Sequence, residues 1–441
     1  MKKDNRRTQS LFNIGAYIRQ ESLGGIILIL VTIVALIWAN SGFYDSYHYL
    51  WHELKFGITF GDFELKKSIH LWINDGLMAI FFFMIGLEIK REVLAGELSS
   101  IKKASLPLGA AVGGMVVPAA FYAIINFNNP EYIHGWGIPM ATDIAFALGL
   151  MSILGPKIPV NLKVFLTALA IADDLGAILI IAIFYTDTIH INELLQAGGF
   201  LGVLMIANRL GVRRTSFYAL VGFLGVWMSF LFSGVHATIA GVLIALTIPV
   251  RPKISDEKFI SSITDLTTKF INARPNNSSL RTDREAKLIN DIDKLSDDAH
   301  TPLQKLEHAL HPITAFIILP LFALSNAGVK IDGNIFNLLS HPIALGIIAG
   351  LLLGKSIGIS LFSKFMVMLK LADLPEGVKW SHIYGASFFA GIGFTMSIFI
   401  SVLAFVPDEF VEIAKVGIIT ASLFSAIVGF IILSRADKSK K

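Results

Sequence analysis

The chain has 441 residues, 54% hydrophobic and only 16% charged, where a soluble domain carries about 25% charged residues. The shortfall marks a membrane protein and not merely a large core. No cysteine is present, which excludes disulfides, thiolate metal sites and a cysteine nucleophile. The net charge of +4 gathers in connections, where it orients helices and does not attract nucleic acid.

The N-terminus, MKKDNRRTQS, is basic and polar, but no small-residue cleavage site closes the first apolar run, Leu23 to Asn40. That run reads as a retained first helix and not a signal peptide. Apolar runs of spanning length recur around 23–40, 69–87, 104–125, 136–154, 164–185, 194–208, 216–232, 236–250, 312–327, 341–362, 383–406 and 411–433. They predict an all-α polytopic membrane protein of twelve spans with both ends on one side. Met1 to Arg7, Lys90 to Lys103, Pro156 to Lys163, Asn208 to Arg214, Arg251 to Lys305, Ser363 to Lys379 and Ser434 to Lys441 all carry Lys or Arg. The alternate connections Asn126–Gly135, Thr186–Glu193 and Pro407–Glu412 carry none. The positive-inside rule therefore places both termini in the cytoplasm. Two outer connections are exceptions: one holds Lys330, and Ser41 to Lys67 holds Lys55, Lys66 and Lys67. The alternation in FGITFGDFELK predicts a short hairpin in the latter.

The domain reading is spans one to eight in 1–250, a charged cytoplasmic insertion in 251–306, and spans nine to twelve in 307–441, forming one membrane domain. Within the insertion, Ile260, Ile263, Leu266 and Phe270 repeat at helical spacing. It reads as a partly helical cytoplasmic insertion, a solvated linker or, as the alternative, a regulatory or partner-binding segment.

Asp173 and Asp174 stand side by side in the apolar stretch TALAIADDLGAI. A carboxylate at that depth is costly and marks a protein interior or a wet cavity, and each charge opposes ionisation of the other. A bound cation or a proton offsets that cost, so the chain reads as a carrier of small cations. On a helix the two point roughly 100° apart, letting one line a cavity while the other addresses a neighbouring helix. A hard cation such as Na⁺ or Li⁺ takes carboxylate, carbonyl and water oxygens. In GWGIPMATDIAFALGL, Asp143 and Thr142 sit among Gly137, Pro139 and Gly149. Such residues weaken a helical ladder, which is tolerated where protein or water re-satisfies the backbone. Asp143 either ligates the ion or neutralises helix-end charge. The late segment GASFFAGIGFTMSIF is likewise interrupted, at Gly391 and Gly393, with Thr395 and Ser397 as its polar residues. Interrupted spans in matching places of two halves point to a site built from inverted repeats.

Lys355, in LLLGKSIGIS, is the remaining mid-span charge and wants a carboxylate, Asp173 or Asp174. The run Gly350 to Ser356 is one residue short of a phosphate loop and lacks its strand–loop–helix context. Asp75, near the outer end of the second span, is a candidate for ion access. Glu88, Lys90, Arg91 and Glu92 cluster at that span's inner end, with His236, Glu307, His308 and His311 as further titratable candidates. Two rival readings are an intramembrane aspartyl protease using Asp143 and Asp174, and a cation channel. The first leaves Asp173 and Lys355 unexplained, and the second lacks a filter-like repeat.

In order, WINDGLMAIFFFMIGLEIKRE, ATDIAFALG, TALAIADDLGAI, SGVHATIAGV, LEHALHP with LPLFALSNAGV, GKSIGI and GIGFTMSIFI closely resemble the bacterial NhaA-type Na⁺/H⁺ antiporters, from about Ile18 to Ser434. The resemblance implies twelve spans with inverted repeats, the fourth and eleventh helices broken and crossing. It implies a bacterial inner-membrane location, electrogenic exchange of more than one H⁺ per Na⁺ or Li⁺, and no cofactor beyond the transported ions. By motif, Asp173 and Asp174 match the ion- and proton-binding pair, Asp174 as the direct ligand and Asp173 as the partner of Lys355. Asp143 and Thr142 match the broken-helix residues, with Asp143 balancing helix-end charge together with Lys355. Glu88, Arg91, Glu92, Glu307 and His236 fall on positions linked to pH response. The family forms homodimers through an external hairpin, corresponding to Ser41–Lys67. Two departures stand out: Ala172 replaces a larger aliphatic residue before the acid pair, and the 251–306 insertion is longer than the short connection of the best-known members.

Overall fold

A chain in lipid must satisfy its backbone N–H and C=O groups internally, and apolar runs do so as helices. The computed structural model describes residues 23–61, 63–186, 189–273, 281–331, 333 and 335–436. The basic N-terminal stretch and the last five residues, on which the expected placement of both ends partly rests, lie outside the described residues.

The membrane-side helices and those of the charged segment are numbered in chain order, leaving aside the short helical stretches Tyr44–Glu53 and Ile335–Ser340. After α1 (Leu23–Ala39), strand β1 (Lys55–Phe60) pairs antiparallel with β2 (Phe63–Ser68), in register from Lys55 opposite Ser68 to Phe60 opposite Phe63. Gly61, at φ +59°, supplies the left-handed backbone that such a tight turn requires. Next come α2 (Ile69–Ala95), α3 (Ile101–Asn126), α4 (Pro130–Met140), α5 (Ile144–Ile153) and α6 (Val160–Phe184). They are followed by α7 (Ile191–Arg209), α8 (Thr215–Ser233) and α9 (Ala237–Thr247).

The charged segment folds as α10 (Asp256–Asn272) packed on α11 (Asp283–Ala299). Ser255 caps the first, and a reciprocal Thr282–Glu285 capping box starts the second. Lys253 reaches Asp298 at 2.6 Å and Lys305 reaches Asp297 at 2.9 Å, tying the segment to its two ends. The last elements are α12 (Pro302–Asn326), α13 (Pro342–Met368), α14 (Trp380–Ala390), α15 (Phe394–Ala404) and α16 (Asp408–Ala436).

Among the described residues, α2, α3, α6, α8, α12, α13 and α16 are long and apolar enough to cross a membrane. The pairs α4/α5 and α14/α15 pass that test together, bent by 46° and 43° at their breaks. The fold is therefore mostly helical and polytopic. α1 and α9 are shorter apolar helices, and α7 runs 19 residues.

Helix association in lipid depends on close backbone approach, hence on small residues at the contacts. α3 packs closely on α13 because Gly113 and Gly358 face each other; a Cβ on either meets the other's carbonyl. Likewise Gly241 of α9 lies on the backbone of Ala79 and Phe83 in α2. These contacts hold the α3, α13 and α2 backbones against the centre of the bundle. Gly358→Val is expected to lower the thermal midpoint in detergent, overpacking of this kind costing about 1–3 kcal/mol. Gly202→Val in α7, where nothing lies within 4 Å, is the control expected to melt close to the parent. Equal melting of the two variants contradicts the close-packing account.

Candidate functional site

Each helix break opens backbone groups in the middle of the bundle, and the two breaks answer each other. Residues 141–143 join α4 to α5 and residues 391–393 join α14 to α15; Asp143 N–H donates to Ile392 O at 2.7 Å. The Asp143 carboxylate serves two helix starts. Its Oδ1 accepts from Phe146 N–H at 2.9 Å, and its Oδ2 accepts from Thr395 N–H at 3.1 Å and Thr395 Oγ1 at 2.5 Å. Phe394 N–H, beside it, donates to Ser422 Oγ of α16 at 3.3 Å. A negative charge at N-terminal N–H groups is the favourable sign for the helix dipole.

Of the opposite ends, one takes the opposite sign and the other a neutral hydroxyl. Lys355 Nζ donates to Met140 O, the last carbonyl of α4, at 2.6 Å. Ala390 O, ending α14, lies 2.9 Å from Thr142 Oγ1, and Ser397 Oγ donates to Ile138 O at 2.8 Å. Lys355 directly follows a widened turn of α13 (Ala349–Gly354) whose bonds run five residues back, a feature frequent at functional sites.

α6 brings the acid pair alongside. Asp173 Oδ2 accepts from Lys355 Nζ at 2.5 Å and from Thr142 Oγ1 at 2.8 Å, while Thr142 Oγ1 itself accepts from Lys355 at 2.5 Å. Lys355 and Asp173 are both 0% exposed, and charges so buried persist only as a hydrogen-bonded pair. Asp174, one residue on, turns to a cavity of about 60 Å³ that it lines with Asp143, Glu88, Thr167, His311 and Thr314. Such a volume holds a few waters or a small ion. Asp174 is 1% exposed, and its Oδ1 accepts no hydrogen bond among the described residues. The arrangement offers a hard cation one carboxylate that is not committed to an ammonium group.

Asp143 lines the same cavity, but its carboxylate is engaged by three donors. Asp143 and Asp174 therefore do not form the symmetrical pair around one water that aspartyl proteolysis needs. Glu88 opens onto the cavity from α2. One turn further, Arg91 pairs with Glu92 at 3.1 Å and with Glu307 of α12 at 3.2 Å, and Lys90 Nζ donates to the Leu246 and Ile248 carbonyls at the end of α9. His236 stands at the start of α9, its Nε2 2.7 Å from Tyr185 O, so the structure does not bring it to that cluster. Asp75 is also apart, paired with Lys67 of β2 at 2.6 Å. Sequence reasoning missed Ser422 and Thr314; a hydroxyl in an apolar span carries no signal of what it faces.

The profile of the family described as Na⁺/H⁺ antiporter 1 matches residues 15–433. The chain belongs to the Na⁺/H⁺ antiporter 1 family. It is 50% identical over 422 residues to "Na(+)/H(+) antiporter NhaA 1" of Psychromonas ingrahamii, covering 95% of each chain. It is 49% identical over 414 residues to "Na(+)/H(+) antiporter NhaA" of Oleidesulfovibrio alaskensis, covering 94% of this chain and 91% of the relative. With the antiporter so named from Helicobacter pylori, identity is 47% over 440 residues, 99% of this chain and 98% of the relative. That last alignment runs across the 251–306 segment of this chain. Members of the Na⁺/H⁺ antiporter 1 family are named as transporters, and this chain is one of them and not an enzyme.

Lys355→Ala leaves Asp173 as a buried charge without its partner, a change of about 3–5 kcal/mol. A large fall in the detergent melting midpoint is expected, and partial recovery when Asp173→Ala is added, because the double change removes both charges. A single variant as stable as the parent contradicts the pairing.

Proposed function

We propose that this chain is an electrogenic Na⁺(Li⁺)/H⁺ antiporter of the bacterial inner membrane, in which cation and protons compete for the Asp173–Asp174 pair. The observation that carries the reading is the division of labour within the pair. Asp173 is held through Oδ2 by Lys355 and Thr142, its Oδ1 taking no hydrogen bond among the described residues, whereas Asp174 lines the cavity with no ammonium partner among the described residues. A cation arriving at Asp174 meets a carboxylate in a low-dielectric site, and protonation of that carboxylate removes its affinity for the ion. Binding of Na⁺ near Asp173 weakens the hold of that carboxylate on Lys355, which couples cation arrival to proton loss. Acid therefore silences the exchange, since protonated aspartates bind no Na⁺. More than one proton per Na⁺ moves net charge inward and lets the membrane potential drive Na⁺ out.

In this reading α4/α5 and α14/α15 are each one broken, crossing span of an inverted-repeat fold. With α1, α7 and α9 also spanning, the chain crosses twelve times and keeps both termini in the cytoplasm. Rocking of one bundle against the other alternates access to the acid pair. The Glu88, Arg91, Glu92 and Glu307 cluster and His236 take the pH response, and Asp75 lies on the outer access route. The β1–β2 hairpin joins two copies as a homodimer. No resident cofactor takes part; Na⁺, Li⁺ and H⁺ are cargo.

In everted vesicles, added Na⁺ or Li⁺ is expected to dissipate an imposed acid interior, and Asp174→Asn to abolish the effect. Dissipation surviving that substitution removes the site assignment. Calorimetry on the purified protein at alkaline pH is expected to show protons released on Na⁺ binding. Uptake of Na⁺ with no proton release at any buffer setting ends the competition mechanism.

A further inference from the structure

α12 changes hydrogen-bond register where it faces the cavity. Leu319 N–H bonds to Thr314 O, five residues back, so the turn Thr314–Ile318 is widened. Pro320 follows and has no N–H to offer Phe316 O. Thr314 begins this turn, is 2% exposed, and lines the cavity that holds Asp174, Glu88 and His311.

A threonine in a helix ordinarily satisfies its hydroxyl on the carbonyl one turn back. Thr167 of α6, on the same cavity, does so, Oγ1 donating to Lys163 O at 3.0 Å. Thr314 Oγ1 is buried and makes no hydrogen bond among the described residues. A buried hydroxyl left unmet costs stability, and valine fills the same volume without that cost. Packing therefore does not explain the oxygen. Thr314 is one of the residues that line the cavity holding Asp174.

We propose that Thr314 Oγ1 is a neutral oxygen ligand for the transported Na⁺ or Li⁺ inside this cavity, replacing one water as the ion sheds its hydration shell beside Asp174. The inference rests on the antiport reading and adds a residue to that same site. Hard cations need several oxygens, and one carboxylate supplies at most two. A hydroxyl adds coordination without charge and does not titrate in the working range, so it alters cation affinity while leaving proton binding to the aspartates.

The test compares Thr314→Val, which removes the oxygen and keeps the shape, with Thr314→Ser, which keeps the oxygen. Vesicle exchange is measured against Na⁺ and Li⁺ concentration across pH. Thr314→Val is expected to raise KM for both ions roughly three- to tenfold, the loss of one modest polar contact, with the maximal rate and the pH profile at saturating cation retained. Thr314→Ser is expected to keep the parent KM. Thr314→Val is also expected to melt no lower than the parent, since it removes an unmet hydroxyl. An unchanged KM in Thr314→Val, or an equal rise in Thr314→Ser, overturns the assignment. If that occurs while Asp174→Asn still abolishes exchange, only Thr314 is misassigned. If Asp174→Asn leaves exchange intact, the antiport site itself is wrong.

Discussion

Charge and opened backbone have no water to turn to in the middle of a bilayer, so every such group needs a partner of opposite sign within the protein. Around that constraint the centre of this molecule is arranged. Two helix pairs, bent at residues 141–143 and 391–393, bring N-terminal N–H groups and C-terminal carbonyls together, and a carboxylate, an ammonium group and a hydroxyl answer them. Asp143 meets the starts of α5 and α15, and Lys355 meets the end of α4. Reversing either charge places like against like at a helix end.

Lys355 has a second obligation, because its single charge also holds Asp173. One ammonium group is thus shared between a helix end and a carboxylate, with Thr142 between them. Asp174 follows Asp173 by one residue, and the helical step turns it out of reach of that arrangement and onto the cavity. The proposed competition between Na⁺ and H⁺ uses that asymmetry. The neighbour absorbs the positive charge, and Asp174 stays available to whatever the cavity admits. Close packing preserves the geometry: with α3 held against α13 through Gly113 and Gly358, Lys355 is kept at the depth of the acid pair.

Thr314 shows the same logic with a neutral group. Its hydroxyl gains nothing from its own helix, and the widened turn it begins departs from the regular ladder beside the cavity. Local irregularity persists at such places because the surrounding fold over-determines it.

Much of this was legible from residues alone. Length and apolarity announced the seven long apolar helices and the two bent pairs among the described residues, alternation announced the β1–β2 hairpin, and the helical spacing of Ile260, Ile263, Leu266 and Phe270 announced α10. Asp143, Asp173, Asp174 and Lys355 stood out because a charge in an apolar run is costly wherever it points, and Gly391 and Gly393 because glycine weakens a helix wherever it packs. These are local properties, written into the chain's own composition. Which carboxylate Lys355 holds, which Asp143 oxygen meets Thr395, and what Ser422 and Thr314 face were decided only by the tertiary structure. Those partners lie tens to hundreds of residues apart, and a hydroxyl in an apolar helix has the same sequence signature whether it bonds its own turn or looks into a cavity. His236 marks the same limit: it stands at the start of α9, while Lys90 reaches the carbonyls at that helix's other end, a separation that depends on how helices pack and not on the residues that compose them.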